Sequence, residues 1–148
     1  MKFLILNGPN INMVGIREKT IYGTMDFNEM ISIIQTEAAK RHVEVDCYQS
    51  NHEGDLVDAI QNAYFNKLDG IVINPAAYTH TSVAIADAIK AISPIPVVEI
   101  HLSDIKEREA FRHHSYCAPY CIEQIKGFGP QGYVMAMDAL IKYIEEKI

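Results

Sequence analysis

Ile71-Val72-Ile73-Asn74-Pro75-Ala76-Ala77-Tyr78-Thr79-His80-Thr81-Ser82 begins as an unbroken apolar run and turns abruptly into a polar loop. Asn74, Tyr78, Thr79, His80, Thr81 and Ser82 crowd hydrogen-bonding side chains onto the end of that run, and a helical pattern follows at once. A strand apolar at every position is buried on both faces, as in a parallel sheet covered by helices. The carboxyl end of such a strand is where open α/β sheets bind small ligands.

Working outward, strand-like runs alternate with helical patterns along the whole chain. Lys2–Asn7 is short and apolar and is stopped by Gly8-Pro9; 43–50 carries Val43, Val45 and Tyr48 and ends in polar residues. Gly70–Asn74 and 97–102 read as buried strands, and 122–127 as a weaker fifth. Between them the apolar residues recur at helical spacing. In 26–41, Phe27, Met30, Ile31, Ile34 and Ala38 share a face, and Asp26 with Glu29 resembles a capping box. Leu56, Ile60 and Ala63 mark a second helix, Ile85, Ile89 and Ile92 a third, and Met137, Leu140, Ile141, Ile144 and Ile148 the last. A short helix is predicted over 105–112. This order predicts a single α/β domain with a doubly wound, five-stranded parallel sheet of the flavodoxin-like kind, strand order 2-1-3-4-5.

A chain of 148 residues, 49% of them hydrophobic, is long enough for one substantial core. The net charge of −6 argues against nucleic acid or an anionic membrane as partner. No apolar run approaches the roughly 18 residues of a membrane span. Cys47, Cys117 and Cys121 form neither a disulfide framework nor a Cys-x-x-Cys pair, so the chain reads as cytoplasmic and reduced.

All strand ends of such a sheet face one rim, which collects 7–10, 49–52, 74–82 and 99–103. The loop 8–25 is about three times longer than a usual βα loop of roughly 2–6 residues and reads as a lid or a disordered segment. It holds Arg17 and Tyr22. A guanidinium beside a phenol favours the phenolate, which is a base; from spacing alone, the plainer reading of a surface arginine and a packing tyrosine is the stronger. Glu99 and His101 stand two apart on one strand, so they share a sheet face, with Ser103 following at the rim. A strand histidine is often a satisfied core residue, but this position at a strand end favours a functional one. Arg108 and Arg112 are four apart and would share a helical face suited to a carboxylate or polyol, with a solvated cluster around Glu107 and Glu109 as the equal alternative. His113, His114, Cys117 and Cys121 lack zinc spacing, and Pro119 breaks any helix that would align the two cysteines. Gly127-Phe128-Gly129-Pro130-Gln131-Gly132 matches Gly-x-Gly-x-x-Gly but is followed by only one helix, so it reads as a tight turn before a helix start. Neither a phosphate-binding Walker loop nor a Gly-x-Ser-x-Gly elbow is present.

Taken together, several segments closely resemble one family, the type II 3-dehydroquinate dehydratases. They are Leu6-Asn7-Gly8-Pro9-Asn10-Ile11-Asn12, Gly15-Ile16-Arg17-Glu18, Tyr22-Gly23, Gln49-Ser50-Asn51-His52-Glu53-Gly54, Ile73-Asn74-Pro75, Ala77-Tyr78-Thr79-His80-Thr81-Ser82, Glu99-Ile100-His101-Leu102-Ser103, Arg108-Glu109, Arg112, His114-Ser115-Tyr116 and Gly132-Tyr133. Ala76, Lys19 and Ala86 depart from the family's usual Gly, Pro and Arg. The resemblance implies dehydration of 3-dehydroquinate to 3-dehydroshikimate through an enolate, a shikimate-pathway step, with no metal and no cofactor. It implies Tyr22 as base, Arg17 sustaining its phenolate, Asn10 supporting the enolate oxygen, and His101 as acid held by Glu99. Asn74, His80, Leu102, Ser103 and Arg112 would anchor the substrate. Asp87 would reach a neighbouring subunit's site in a homo-oligomer, a dodecamer built from trimers.

Two rival readings share the fold. A flavin carrier would want a Ser/Thr-rich phosphate cradle after strand 1, which is absent. A phospho-acceptor receiver module would fit Lys126 but wants acidic residues where Asn7 and Asn74 stand.

Overall fold

The computed structural model describes residues 1–16 and 25–148. Its strands are β1 (Lys2–Asn7), β2 (Glu44–Gln49), β3 (Gly70–Asn74), β4 (Val97–His101) and β5 (Glu123–Lys126). The helices between and after them are α1 (Phe27–Lys40), α2 (Glu53–Phe65), α3 (Val83–Ala91) and α4 (Gln131–Glu146). The strands form one all-parallel sheet in the order β2-β1-β3-β4-β5, as the sequence predicts. Asn7 lies in register with both Gln49 and Asn74, so three polar strand ends sit side by side on the rim.

Side-chain alternation along the strands sends residues to two cores. Phe3, Ile5, Val72, Val98 and Ile100 pack with Met30, Ile34, Tyr133, Met137 and Leu140 of α1 and α4. Leu4, Leu6, Ile71, Ile73 and Val97 pack with Leu56, Ile60, Ile85 and Ile89 of α2 and α3. Glu99 and His101 alternate with Val98 and Ile100, so they fall on the α2–α3 side, just beyond the apolar residues of that face.

Helix starts follow the capping chemistry written in the sequence. The Asp26 carboxylate accepts from the Glu29 amide at 2.8 Å, and Ser82 accepts from the Ile85 amide at 2.9 Å. The helix predicted over 105–112 is instead two 3-10 turns, Ile105–Glu107 and Ala110–Arg112, separated by Arg108 in extended conformation (φ −103°, ψ −168°). Asp104 caps the first turn at Lys106, and a segment this short gains too few backbone bonds to sustain an α-helix. Arg108 and Arg112 therefore do not share a helical face. β2 is an edge strand with alternating exposure, and it starts one residue later and ends one earlier than predicted.

Two backbone features shape the rim. Gly8 donates to the Asn74 carbonyl at 2.8 Å, and a Cβ there would meet the Pro75 carbonyl oxygen at 2.5 Å, so only glycine allows the first and third loops to touch. Gly15 (φ +88°) lies against the next segment so closely that a Cβ would meet Asp26 Cα and Met25 O, each at 2.8 Å.

Ala76 adopts the left-handed conformation (φ +54°) that the family's usual glycine takes without strain. An L-residue there costs about 1–2 kcal/mol, partly offset by its stiffer unfolded chain. Ala76→Gly is expected to raise unfolding stability by about 0.5–1 kcal/mol in urea titration; an unchanged or lower midpoint would show that the loop is not strained. Among the described residues no helix is long and apolar enough to cross a membrane.

Candidate active site

A cleft opens on the rim between the loops after β1, β3 and β4. Pro9, Asn10 and Ile11 form one wall, Asn74, Ala76, Ala77 and His80 a second. His101, Leu102, Ser103 and Ile105, with Arg108 and Arg112, close the third. Of the residues predicted from the sequence, Asn10, Asn74, His80, His101, Leu102, Ser103 and Arg112 come together here, and Glu99 lies directly behind His101. Asp87 does not: it is exposed on α3, beside Val83, Ala86 and Tyr116. Arg17 and Tyr22 lie outside the described residues.

Two of the three strand ends, Asn7 and Asn74, are locked from below. Tyr133 of α4, fully buried, donates its hydroxyl to Asn7 Oδ1 at 2.5 Å and receives Asn74 Nδ2 at 3.4 Å. Burial pushes its phenol far above the usual tyrosine range, so it stays a neutral donor. Asn74 Oδ1 accepts from the Ala76 amide at 3.2 Å, which holds the left-handed turn. Asn10, itself left-handed (φ 67°), gives its amide to Asn51 Oδ1 at 3.0 Å, joining the first loop to the second.

His80 Nδ1 lies 2.8 Å from the His114 carbonyl. A carbonyl only accepts, so Nδ1 carries the proton and, in the neutral ring, Nε2 is an acceptor. Burial lowers the pKa of His80 below the usual imidazole value, against the pull of that hydrogen bond. His80 is thus suited to receive a hydroxyl proton.

His101 Nε2 sits 2.6 Å from Glu99 Oε2, and Glu99 is fully buried. Burial alone would raise the Glu99 pKa, but hydrogen bonds from His101, Gln124 and Ser115 together outweigh it and hold the carboxyl below its usual value. An ionised Glu99 keeps the proton on His101 Nε2, which leaves Nδ1 as the nitrogen not committed to Glu99. Such an imidazole can take or release a proton at a single defined atom.

One carboxylate touches both cations. Glu109 accepts from Arg112 Nε at 3.0 Å, and Arg108 Nε lies 4.0 Å from its other oxygen. The two guanidiniums therefore reach one cleft without a shared helix, giving it a positive wall suited to a carboxylate. Cys117 and Cys121 are not part of it: burial pushes the Cys117 thiol up to about 12 and the Cys121 thiol higher still, the opposite of a metal-ready thiolate.

Sequence reasoning missed Asn7, Ser115, Gln124 and Tyr133 as parts of the site. Ser115 and Tyr133 fall in segments that carry the family resemblance; for Gln124, on a weak strand, no local signal exists.

The Dehydroquinase class II family profile matches residues 1–141. A 3-dehydroquinate dehydratase of Clostridium perfringens (strain SM101 / Type A) is 56% identical over 147 residues, covering 99% of this chain and 100% of that protein. The crystal structure of the type II dehydroquinase from Butyrivibrio crossotus DSM 2876 superimposes with a TM-score of 0.94 at 52% identity, covering 95% of this chain and 97% of that one. The type II dehydroquinase from Propionibacterium acnes gives 0.90 at 35% identity, covering 95% and 96%. The chain belongs to the class II dehydroquinase family of hydro-lyases.

Proposed function

We propose that this protein dehydrates 3-dehydroquinate to 3-dehydroshikimate and water through an enolate. The observation that carries the reading is the buried Glu99–His101 pair, 2.6 Å apart, opening onto a cleft that also holds Asn74, His80, Ser103 and Arg112. The chemistry needs a base for the proton next to a ketone, support for the enolate, and an acid for the departing hydroxyl. Tyr22, activated by Arg17, takes the C2 proton. Asn10 supports the enolate oxygen. His101 protonates the C1 hydroxyl as it leaves, and the electron pair of the enolate forms the C1–C2 double bond. Arg112 holds the carboxylate, while Asn74, His80, Ser103 and the Leu102 backbone hold carboxylate and hydroxyl oxygens. No step requires a metal or cofactor.

The product is a conjugated enone, so turnover is read directly as ultraviolet absorbance. Purified protein mixed with 3-dehydroquinate is expected to generate that absorbance, with the same rate after treatment with a strong chelator. No absorbance change would end the assignment, and loss with chelator would require a metal.

Asp87 is exposed and remote from its own cleft, which is in keeping with a role at a neighbouring subunit. The assembly we propose is a dodecamer built from trimers. Light scattering is expected to return about twelve times the 16.7 kDa chain mass; a monomer or dimer would overturn it.

A further inference from the structure

The least expected part of the site is the number of donors on one buried carboxylate. Glu99 receives Ser115 Oγ on Oε1 at 2.7 Å, and on Oε2 both Gln124 Nε2 at 2.7 Å and His101 Nε2 at 2.6 Å. The donors come from three places. Gln124 is the residue in register with Glu99 on β5, Ser115 lies in the turn preceding Cys117, and His101 is two residues along the same strand.

Each outer donor has a fixed polarity. The Ser115 oxygen accepts from the Ala118 amide at 3.2 Å, which leaves its single proton directed at Glu99. The Gln124 group facing Oε2 is the amide NH₂, which cannot accept; the opposite flip would set two oxygens against each other. A protonated Glu99 would find an acceptor at Oε2 only in His101 Nε2, and its bonds from Ser115 and Gln124 would become contacts with a weaker acceptor. Burying a carboxylate is unfavourable unless it is hydrogen-bonded in this way.

We infer that Ser115 and Gln124 are positioning residues for proton delivery: by holding Glu99 as an acceptor, they fix His101 in the Nε2–H form and make Nδ1 its working atom. This rests on the reading of His101 as the acid. Removing either donor leaves Glu99 a more basic carboxylate, so the pair holds its proton more tightly and releases it less readily. The other charged and titratable groups around the pair are His80, Arg108 and Arg112 on the cleft walls, Lys126 beside His101 on β5, and the Cys117 and Cys121 thiols. The variants below leave all of them in place.

The test uses the full-length enzyme as Ser115→Ala, Ser115→Thr and Gln124→Met, the last close to glutamine in volume without its donors. Steady-state rates are measured across pH together with urea unfolding, and ¹⁵N NMR of labelled histidine reads the His101 tautomer. Ser115→Ala and Gln124→Met are expected to lower kcat about 10–100-fold, as loss of an outer hydrogen-bond partner does elsewhere, with KM within about twofold. The basic limb of the kcat profile moves to higher pH, Ser115→Thr restores both, and wild-type His101 shows the Nε2–H form. An Nδ1–H form in the wild type would overturn the inference without touching the assigned reaction. So would folded variants with an unmoved pH profile. Full activity in a variant lacking His101 would instead remove the reading beneath it.

Discussion

Tyr22→Phe is expected to lower kcat at least about 10²–10⁴-fold, the usual worth of a positioned base, while leaving the urea midpoint within about 0.5 kcal/mol of the wild type. A free phenol ionises near pH 10 and is a poor base at neutral pH. Only a neighbouring cation makes it useful, and Arg17, five residues earlier, is the cation the mechanism gives it. Phenylalanine keeps the ring and removes the reacting atom. Initial rates from the enone absorbance, set beside urea unfolding, decide the matter: near-normal rates would refute Tyr22 as the base.

His101→Ala is expected to produce the opposite pairing, a loss of both turnover and stability. The rate falls by about 10²–10⁴ because no acid remains for the leaving hydroxyl. Stability falls by about 1–3 kcal/mol, since buried Glu99 loses one of its charge-assisted bonds. His101→Gln separates the two effects. Its amide can still donate to Glu99 but cannot surrender a proton, so much of the stability returns and the rate does not. A glutamine variant turning over at wild-type speed would show that His101 only holds Glu99.

These residues also mark where the sequence is legible. β1, β3 and β4 stand out because every position except Lys2 is buried, which leaves mostly apolar runs. β2 is less sharp because an edge strand alternates, and its ends merge with polar loops. The Glu99–His101 pair follows from the two-residue period of a strand, a local rule needing no tertiary knowledge. The donors behind it do not follow. Gln124 reaches Glu99 across 25 residues, and Tyr133 reaches Asn7 across 126, through sheet order and helix packing that no short window contains. Residues 105–112 mislead for a related reason: Arg108 and Arg112 have helical spacing, but the Asp104 cap closes a turn after three residues. Their convergence on the cleft comes from chain path and from Glu109, which lies between them.

The contact of Gly15 with Met25 and Asp26 has a consequence for how such an enzyme can change over generations. Gly15, one residue beyond buried Val14, lies directly against the capped start of α1. Two chain points held in contact can be joined by a longer connection at a cost of only about 0.6 kcal/mol per doubling of its length. A change of length between Gly15 and Met25 is therefore expected to leave the register of the sheet in place. On the roles proposed for Arg17 and Tyr22, turnover and foldability then become separately heritable traits.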